Sequence, residues 1–144
     1  MLRGPRRLIV MAAIGLMAAC APAREEPRQE LLHPPKSFFV FFPVDSADLT
    51  PEAHQVIDRI ADEVRRIQAT GVGIVGYASP AGTAAHNLRL SDLRATAAEV
   101  ALLSRGVSRA IIVRTYHGET PVIGPEIEGQ RVEVVVSRED RPRP

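Results

Sequence analysis

An alternation of helix-like and strand-like segments between residues 38 and 137 constrains the fold of this chain most. A helix is predicted to begin at Thr50-Pro51, because Thr is a favoured N-cap and Pro is tolerated at the first helical position. Apolar residues then recur every three or four positions as far as Ile67, and Gly71 is expected to end the helix. A longer helix is predicted from about residue 83 to residue 105, where Gly106 would stop it. Short β-branched or aromatic runs predict four strands, at residues 38–42, 72–77, 111–116 and 131–137.

The order β-α-β-α-β-β predicts an α+β domain in which two helices pack on one face of a four-stranded mixed sheet. In the last strand Val132, Val134 and Val136 alternate with more polar residues, which is the pattern of a sheet with one buried face. Glycines within the second strand predict either a close approach of another backbone or a twist there. With 144 residues, 45% hydrophobic and 24% charged, the chain suffices for one folded domain, and the composition excludes wholesale disorder.

The amino-terminal residues 1–19 have the pattern of a secretion signal. Three arginines in residues 1–7 precede an unbroken apolar run of 12 residues, which is shorter than the roughly 20 residues that a membrane-spanning helix needs. The run ends in Met17-Ala18-Ala19-Cys20, and small residues before a cysteine resemble the bacterial lipoprotein signal. The resemblance implies cleavage before Cys20 and lipidation of that residue with several acyl chains, which would hold the protein on a membrane. A conventional signal peptide with an incidental cysteine is the alternative.

Two further segments are expected to lie outside the folded domain, which is predicted to span residues 37–138. Residues 20–36 contain the lipidated cysteine followed by prolines and charges without a sustained period, and this composition predicts a flexible linker. Fully extended, that linker would reach about 50 Å. Residues 139–144 are predicted to form a disordered, charged and proline-rich tail.

Charge and cysteine content exclude several classes of function. Residues 20–144 carry 15 basic and 17 acidic side chains, so the domain lacks the basic surface expected of a nucleic-acid-binding protein. A single cysteine excludes an intramolecular disulfide and a cysteine-based zinc site, and no metal or other cofactor is expected. Ser79 does not lie in a G-x-S-x-G elbow, so the sequence does not predict a hydrolase of that type. The four histidines are scattered without metal-ligand spacing: His33, His54, His86 and His117.

One group of polar residues stands out on the second predicted helix. Asn87, Ser91 and Arg94 are spaced at i, i+4 and i+7, so they share a stripe of the helix. An adjacent apolar stripe places these polar groups beside the buried face; it contains Leu90, Ala98 and Leu102. Arg94 could bond a backbone carbonyl or an acidic side chain within the domain. Alternatively, its guanidinium could bind a ligand carboxylate, because its planar fork matches two carboxylate oxygens.

Several spaced motifs in this region resemble one known family. Residues 87–95 (NLRLSDLRA) match the pattern N-x-x-L-S-x-x-R-A at every fixed position, and residues 40–50 (VFFPVDSADLT) resemble V-Y-F-D-F-D-S-A-x-L-T. Residues 76–82 stand where that family has G-H-T-D-x-x-G, residues 118–121 resemble its G-E-x-x-P turn, and residues 129–133 stand in place of N-R-R-V-E. The family is the OmpA-like carboxy-terminal domain, a β-α-β-α-β-β sandwich that associates with peptidoglycan.

The resemblance implies recognition without catalysis, in a groove that holds the diaminopimelate of the peptidoglycan stem peptide. Arg94 matches the family's carboxylate-binding arginine and Asn87 its groove asparagine, while Asp45 lies in the matching loop after the first strand. Arg131 matches the second arginine of the closing motif and either faces the groove or only pairs on the sheet. Ser79 replaces the family's loop aspartate. Exchanging a charge-assisted hydrogen bond for a neutral one is expected to weaken binding about tenfold.

Together, these resemblances predict an outer-membrane lipoprotein that faces the periplasm and tethers the outer membrane to the cell wall. Its expected partners are peptidoglycan, the outer membrane through Cys20, and other envelope proteins. The alternative is an envelope protein–protein interaction module that keeps the fold but has lost the ligand, in which case Arg94 is structural. The two hypotheses differ in whether Ser79, Asn87 and Arg94 converge on an open groove.

Overall fold

The computed structural model describes residues 33–119 and 129–139. The predicted signal segment, the lipidation site, most of the linker and residues 140–144 lie outside the described residues. The elements follow the predicted order β-α-β-α-β-β, and a short 3-10 helix, Arg109–Ile111, precedes the third strand. They are β1 (Lys36–Phe41), α1 (Pro51–Ile67), β2 (Gly71–Ala78), α2 (Ala84–Ser104), β3 (Ile112–Glu119) and β4 (Arg131–Ser137).

The four strands form one mixed sheet in the order β1-β4-β2-β3, which confirms the predicted fold class. The last strand, β4, lies between β1 and β2 and is antiparallel to both, whereas β2 and β3 are parallel. Each helix is therefore a crossover between two strands that run in the same direction. As a result, the loops after β1 and β2 lie at the same end of the sheet, beside the amino-terminal ends of both helices.

The hydrophobic core lies between the sheet and the two helices. The valines predicted to face inward in β4, Val132, Val134 and Val136, are fully buried, as are Ile57 and Ile60 of α1. Each such side chain stabilises the fold by about 1.5–3 kcal/mol relative to leaving it in water. All described strands and helices lie within residues 36–137, so a chain beginning after Cys20 retains the whole core.

The helix ends agree with the sequence-based predictions at three positions and differ from them at one. Thr50 is the N-cap of α1, with its hydroxyl accepting from the Ala53 N–H at 3.2 Å, and Thr83 caps α2 in the same way. Gly106, with φ +84°, follows the end of α2 as predicted. The prediction that Gly71 ends α1 is wrong: the helix ends at Ile67, Gln68 takes the left-handed conformation (φ +52°), and Gly71 instead begins β2.

Helix α2 approaches the sheet closely at Gly76. A Cβ atom at this position would lie 2.1 Å from the Ser91 carbonyl oxygen and 3.0 Å from the Ala95 Cβ, so only glycine fits without a shift of the backbone. This contact confirms the close approach predicted from the glycines of β2. It also draws the first half of α2 against the sheet, where its polar stripe becomes buried.

Candidate functional site

A cavity of about 260 Å³ lies between the first half of α2 and the loops that follow β1 and β2. Four of the five predicted ligand-binding residues line it: Asp45, Ser79, Asn87 and Arg94. The other lining residues are Val44, Ala81, Gly82, His86, Leu90 and Gln130. The structure therefore brings Ser79, Asn87 and Arg94 together on one open cavity rather than filling the space between them.

Arg94 forms the inner wall of this cavity, and its side chain is fully buried. The guanidinium donates from Nε to the Ser46 carbonyl at 2.8 Å, from Nη2 to the Pro43 carbonyl at 3.0 Å, and from Nη1 to the Tyr77 carbonyl at 3.2 Å. It also lies 5.6 Å from the centre of the Phe42 ring. Arg94 thus fastens the loop after β1 to the end of β2. A guanidinium has five N–H groups, so two remain beyond these three bonds.

The charge of Arg94 is not neutralised by the groups that hold it. Its three acceptors are neutral carbonyls, and within residues 33–119 and 129–139 no carboxylate forms an ion pair with it. Burial lowers the pKa of the Arg94 guanidinium from its ordinary value, while the Asp45 carboxylate acts in the opposite direction. A buried charge without a close partner of opposite sign is destabilising, so a carboxylate placed in the cavity would be bound favourably.

The other two polar residues of the predicted stripe are also buried, but only one of them reaches the cavity. Asn87 lines it, and its side-chain amide donates to a Glu119 carboxylate oxygen at 3.1 Å. Ser91 is not among the lining residues: its hydroxyl donates to the Leu88 carbonyl at 2.7 Å and accepts from the Gly118 N–H at 2.9 Å. Ser91 therefore fastens β3 to α2, while Asn87 lines the cavity and bonds to Glu119.

Ser79 lies in the loop after β2 and is 9% exposed. Its hydroxyl accepts from the backbone N–H of Ala81 at 3.5 Å, so the residue shapes the loop that covers one side of the cavity. Because the hydroxyl is uncharged, this side of the cavity has no negative charge at the position where the family has an aspartate.

The structure places Arg131 apart from the other four predicted residues. Since Val132 points toward the helices, Arg131 lies on the opposite face of the sheet. There its guanidinium is 4.9 Å from the centre of the Tyr77 ring and 5.9 Å from that of Phe39. Its neighbour Gln130 lines the cavity instead. Arg131 supports Tyr77, whose carbonyl oxygen binds Arg94.

His86 is a cavity residue that the sequence analysis missed. Its Nε2 atom lies 2.6 Å from Oδ1 of Asp45, so the two residues form a bridge between α2 and the loop after β1. A signal was present in the sequence, because His86, Leu90 and Arg94 are spaced at i, i+4 and i+8 and therefore follow one row of the helix.

No group of three or more His, Cys, Asp or Glu side chains that could hold a metal ion is present in the described part of the chain. Of the helices that the structure describes, none combines the length and the apolar character needed to cross a membrane.

Comparison of the sequence with known proteins identifies a family and several relatives. The model of the OmpA family matches residues 41–133. Outer membrane protein A of Bordetella avium is 36% identical over 67 residues, covering 46% of this chain and 34% of that protein. The peptidoglycan-associated lipoprotein of Rhizobium meliloti is 34% identical over 84 residues, covering 58% of this chain and 48% of that protein. The chain thus spans between about a third and a half of these relatives.

Solved structures show the same fold. The peptidoglycan-associated lipoprotein from Burkholderia pseudomallei superimposes with a TM-score of 0.62 at 25% identity, covering 69% of this chain and 89% of that one. The OmpA-like domain of FopA1 from Francisella tularensis gives a TM-score of 0.66 at 24% identity, with coverage of 72% and 73%. The periplasmic domain of Helicobacter pylori MotB gives 0.59 at 18% identity, with coverage of 69% and 71%. At these last two identities the similarity establishes the fold alone.

Proposed function

Because this chain belongs to the OmpA family, we propose that its cavity binds peptidoglycan non-covalently, through the diaminopimelate residue of the stem peptide. Relatives named peptidoglycan-associated lipoproteins support the ligand class. The observation that carries the proposal concerns Arg94, a buried cation on the wall of an open cavity. All the groups that accept hydrogen bonds from Arg94 are neutral carbonyls. A carboxylate of the ligand would provide the missing negative charge.

The remaining cavity residues have supporting roles in this proposal. Asn87 and Ser79 offer an amide and a hydroxyl, and Asp45 offers a carboxylate at the rim. Arg131 is no longer assigned to the ligand, because it lies on the other face of the sheet; its role is to pack against Tyr77. The site holds a peptide without breaking bonds, so the protein acts by attachment and not by turnover.

Attachment to the membrane is the second part of the proposal. The sequence before Cys20 resembles a lipoprotein signal, and curated relatives include lipoproteins. We expect acyl chains on Cys20 to hold the protein on the outer membrane, with the domain in the periplasm about one linker length away. Metabolic labelling with radioactive palmitate tests this directly: the parent protein should be labelled and the Cys20→Ala variant should not. Labelling of both proteins, or of neither, would contradict a lipid anchor at Cys20.

Co-sedimentation of residues 21–144 with isolated cell-wall sacculi tests the cavity. Ala81 lines the cavity on an exposed loop, so Ala81→Phe should fill the site without disturbing the core. The matched control is Ala110→Phe, which adds the same ring to an exposed residue of the 3-10 helix outside the cavity lining. The parent and Ala110→Phe should pellet with the sacculi, while Ala81→Phe should stay in the supernatant.

A gain-of-function variant complements this loss. Ser79→Asp restores a negative charge at the family position and should increase the pelleted fraction, with an affinity gain of about tenfold. If Ala81→Phe pellets as well as the parent, the cavity is not the binding site.

A second candidate function is that of an envelope protein–protein interaction module. Two observations favour it: the three carbonyl bonds of Arg94 already give that residue a structural role, and the outer side of α2 carries apolar side chains. Leu93, Val100 and Leu103 are 47%, 59% and 37% exposed. If the folded parent fails to pellet with sacculi, a photo-crosslinking residue at position 100 should capture a protein partner in cells.

A further inference from the structure

A polar bridge joins two residues of the cavity lining. His86 lies in the first turn of α2, and its Nε2 atom is 2.6 Å from Oδ1 of Asp45 in the loop after β1, 41 residues earlier in the chain. The two side chains are 51% and 68% exposed, so a ligand entering from solvent can reach both. An exposed pair of this kind adds little to folding stability, typically about 0–1 kcal/mol. The fold itself therefore does not depend strongly on the bridge.

The cavity has opposite charges on two sides. Among its described lining residues Asp45 is the carboxylate and Arg94 is the permanent cation. Asp45 and Arg94 line the same cavity, and the charge of Asp45 counteracts the lowering of the Arg94 pKa by burial. Ser79 contributes no charge. A ligand that carries both a carboxylate and an ammonium group therefore finds its cation partner at Asp45.

Asp45 has a backbone conformation that is uncommon for residues other than glycine. Its φ of +53° lies in the left-handed region, which costs a non-glycine residue about 1 kcal/mol, and such residues occur often at ligand clamps. The hydrogen bond to His86 uses one carboxylate oxygen, whereas a carboxylate offers about four acceptor positions. The carboxylate can therefore remain bonded to His86 and still accept from a ligand.

We propose that His86 is a positioning residue: it fixes the Asp45 carboxylate at the rim, where that carboxylate receives the ligand's ammonium group while Arg94 receives its carboxylate. This inference rests on the proposed binding of diaminopimelate and adds the residue that orients the Asp45 carboxylate. In this chain Asp45, oriented by His86, supplies the negative charge that Ser79 does not supply. A fixed acceptor binds more tightly than a mobile one, because less side-chain freedom is lost on binding.

The test compares two small ligands by NMR titration of residues 21–144. Meso-diaminopimelate carries two carboxylates and two ammonium groups, and pimelate is the same dicarboxylate without the amines. Asp45→Asn should weaken diaminopimelate binding about tenfold, because a charge-assisted bond becomes neutral. His86→Ala should weaken it about threefold through lost positioning. Neither change should weaken pimelate binding.

A conservative variant and a matched control separate positioning from a general structural effect. His86→Gln keeps an N–H donor near the position of Nε2 and should restore the diaminopimelate affinity. His54→Ala removes another exposed histidine near the start of a helix, outside the cavity lining, and should leave both affinities unchanged. If His86→Ala leaves the ratio of the two affinities unchanged, or strengthens diaminopimelate binding, the inference is overturned.

The two proposals fail in different ways. A parent protein that pellets with sacculi but binds diaminopimelate and pimelate equally would contradict the role of Asp45 and His86 and leave peptidoglycan attachment intact. A parent protein that neither pellets with sacculi nor binds diaminopimelate would refute both.

Discussion

Helices α1 and α2 cover the same face of the sheet but bury different chemistry. The buried face of α1 is almost wholly apolar, with Ile57 and Ile60 at its centre. The first half of α2 instead buries an amide, a hydroxyl and a guanidinium, from Asn87, Ser91 and Arg94. Apolar burial stabilises the fold directly, whereas buried polar groups are tolerated only when hydrogen bonds satisfy them. The difference indicates that α1 serves the stability of the domain and that the first half of α2 forms a wall of the cavity.

The largest expected effect on stability comes from the apolar helix. Ile60→Ala removes a fully buried side chain from the middle of α1 and should lower the free energy of unfolding by about 4 kcal/mol, measured by urea denaturation. Arg59→Ala, at an exposed neighbouring position, should change it by less than about 0.5 kcal/mol. The folded fraction of Ile60→Ala should still pellet with sacculi. A loss below about 1 kcal/mol would contradict the assignment of α1 as the stabilising helix.

Arg94→Met should affect both stability and binding. The variant keeps an unbranched side chain but leaves the carbonyls of Pro43, Ser46 and Tyr77 without their donor, so the free energy of unfolding should fall by about 2–3 kcal/mol. Sacculus binding should be lost even at temperatures where circular dichroism shows a folded domain. Retained binding by the folded variant would show that Arg94 serves the loops alone.

Ser91→Ala separates stability from binding among the buried polar residues of α2. The Gly118 N–H would lose its acceptor, and the free energy of unfolding should fall by about 1 kcal/mol. Because Ser91 does not line the cavity, the affinity for diaminopimelate should stay within about twofold of the parent, which corresponds to a few tenths of a kcal/mol. Calorimetry and titration on the same sample measure both quantities. A large loss of affinity at unchanged stability would place Ser91 in the site.

The smallest expected effect is a pH dependence of the free energy of unfolding, caused by Glu63 in α1. Hydrogen bonds from Arg66 to Glu63, at 2.7 and 2.9 Å, lower the pKa of the Glu63 carboxyl from its ordinary value of 4.5, against the opposing effect of burial. Since the folded-state pKa is the lower one, the carboxylate stabilises the fold above about pH 4.5, and this contribution is lost as the pH falls through the folded-state pKa.

The difference in unfolding free energy between the parent and Glu63→Gln should therefore be constant near neutral pH and shrink below about pH 4.5. Asp62→Asn, which removes one partner of an exposed pair with Arg65, is the control and should show a smaller change. An equal difference at pH 3 and pH 7 would show that Glu63 and Arg66 are not coupled in solution.

Local patterns in the sequence predicted the elements of the fold but not their arrangement. Periodicity and the capping residue Thr50 placed α1, and Gly106 placed the end of α2, because these signals act over a few residues. The position of β4 between β1 and β2 depends on pairing between distant segments, which no local pattern specifies. The end of α1 was misplaced because Gln68, not Gly71, adopts the left-handed cap.

The site residues also divide into those that sequence patterns predicted and those that only the fold brings together. Helical spacing and the family motif identified Arg94 and Asn87. The contact between His86 and Asp45 joins residues 41 positions apart and became visible only in the structure. The placement of Arg131 could have been predicted, because inward-pointing Val132 requires its neighbour to face the other side of the sheet.

The most direct test of the comparison between the helices is an NMR map of ligand contact. Residues 21–144, labelled with nitrogen-15, would be titrated with a soluble stem peptide that contains meso-diaminopimelate. We predict shifts of amide signals around Asp45, in residues 79–82 and in the first half of α2, with the signals of α1 from Ile57 onward unchanged. Shifts centred on Val100 and Leu103 in the second half of α2, or no shifts from a protein that pellets with sacculi, would contradict the assignment of the cavity as the binding site.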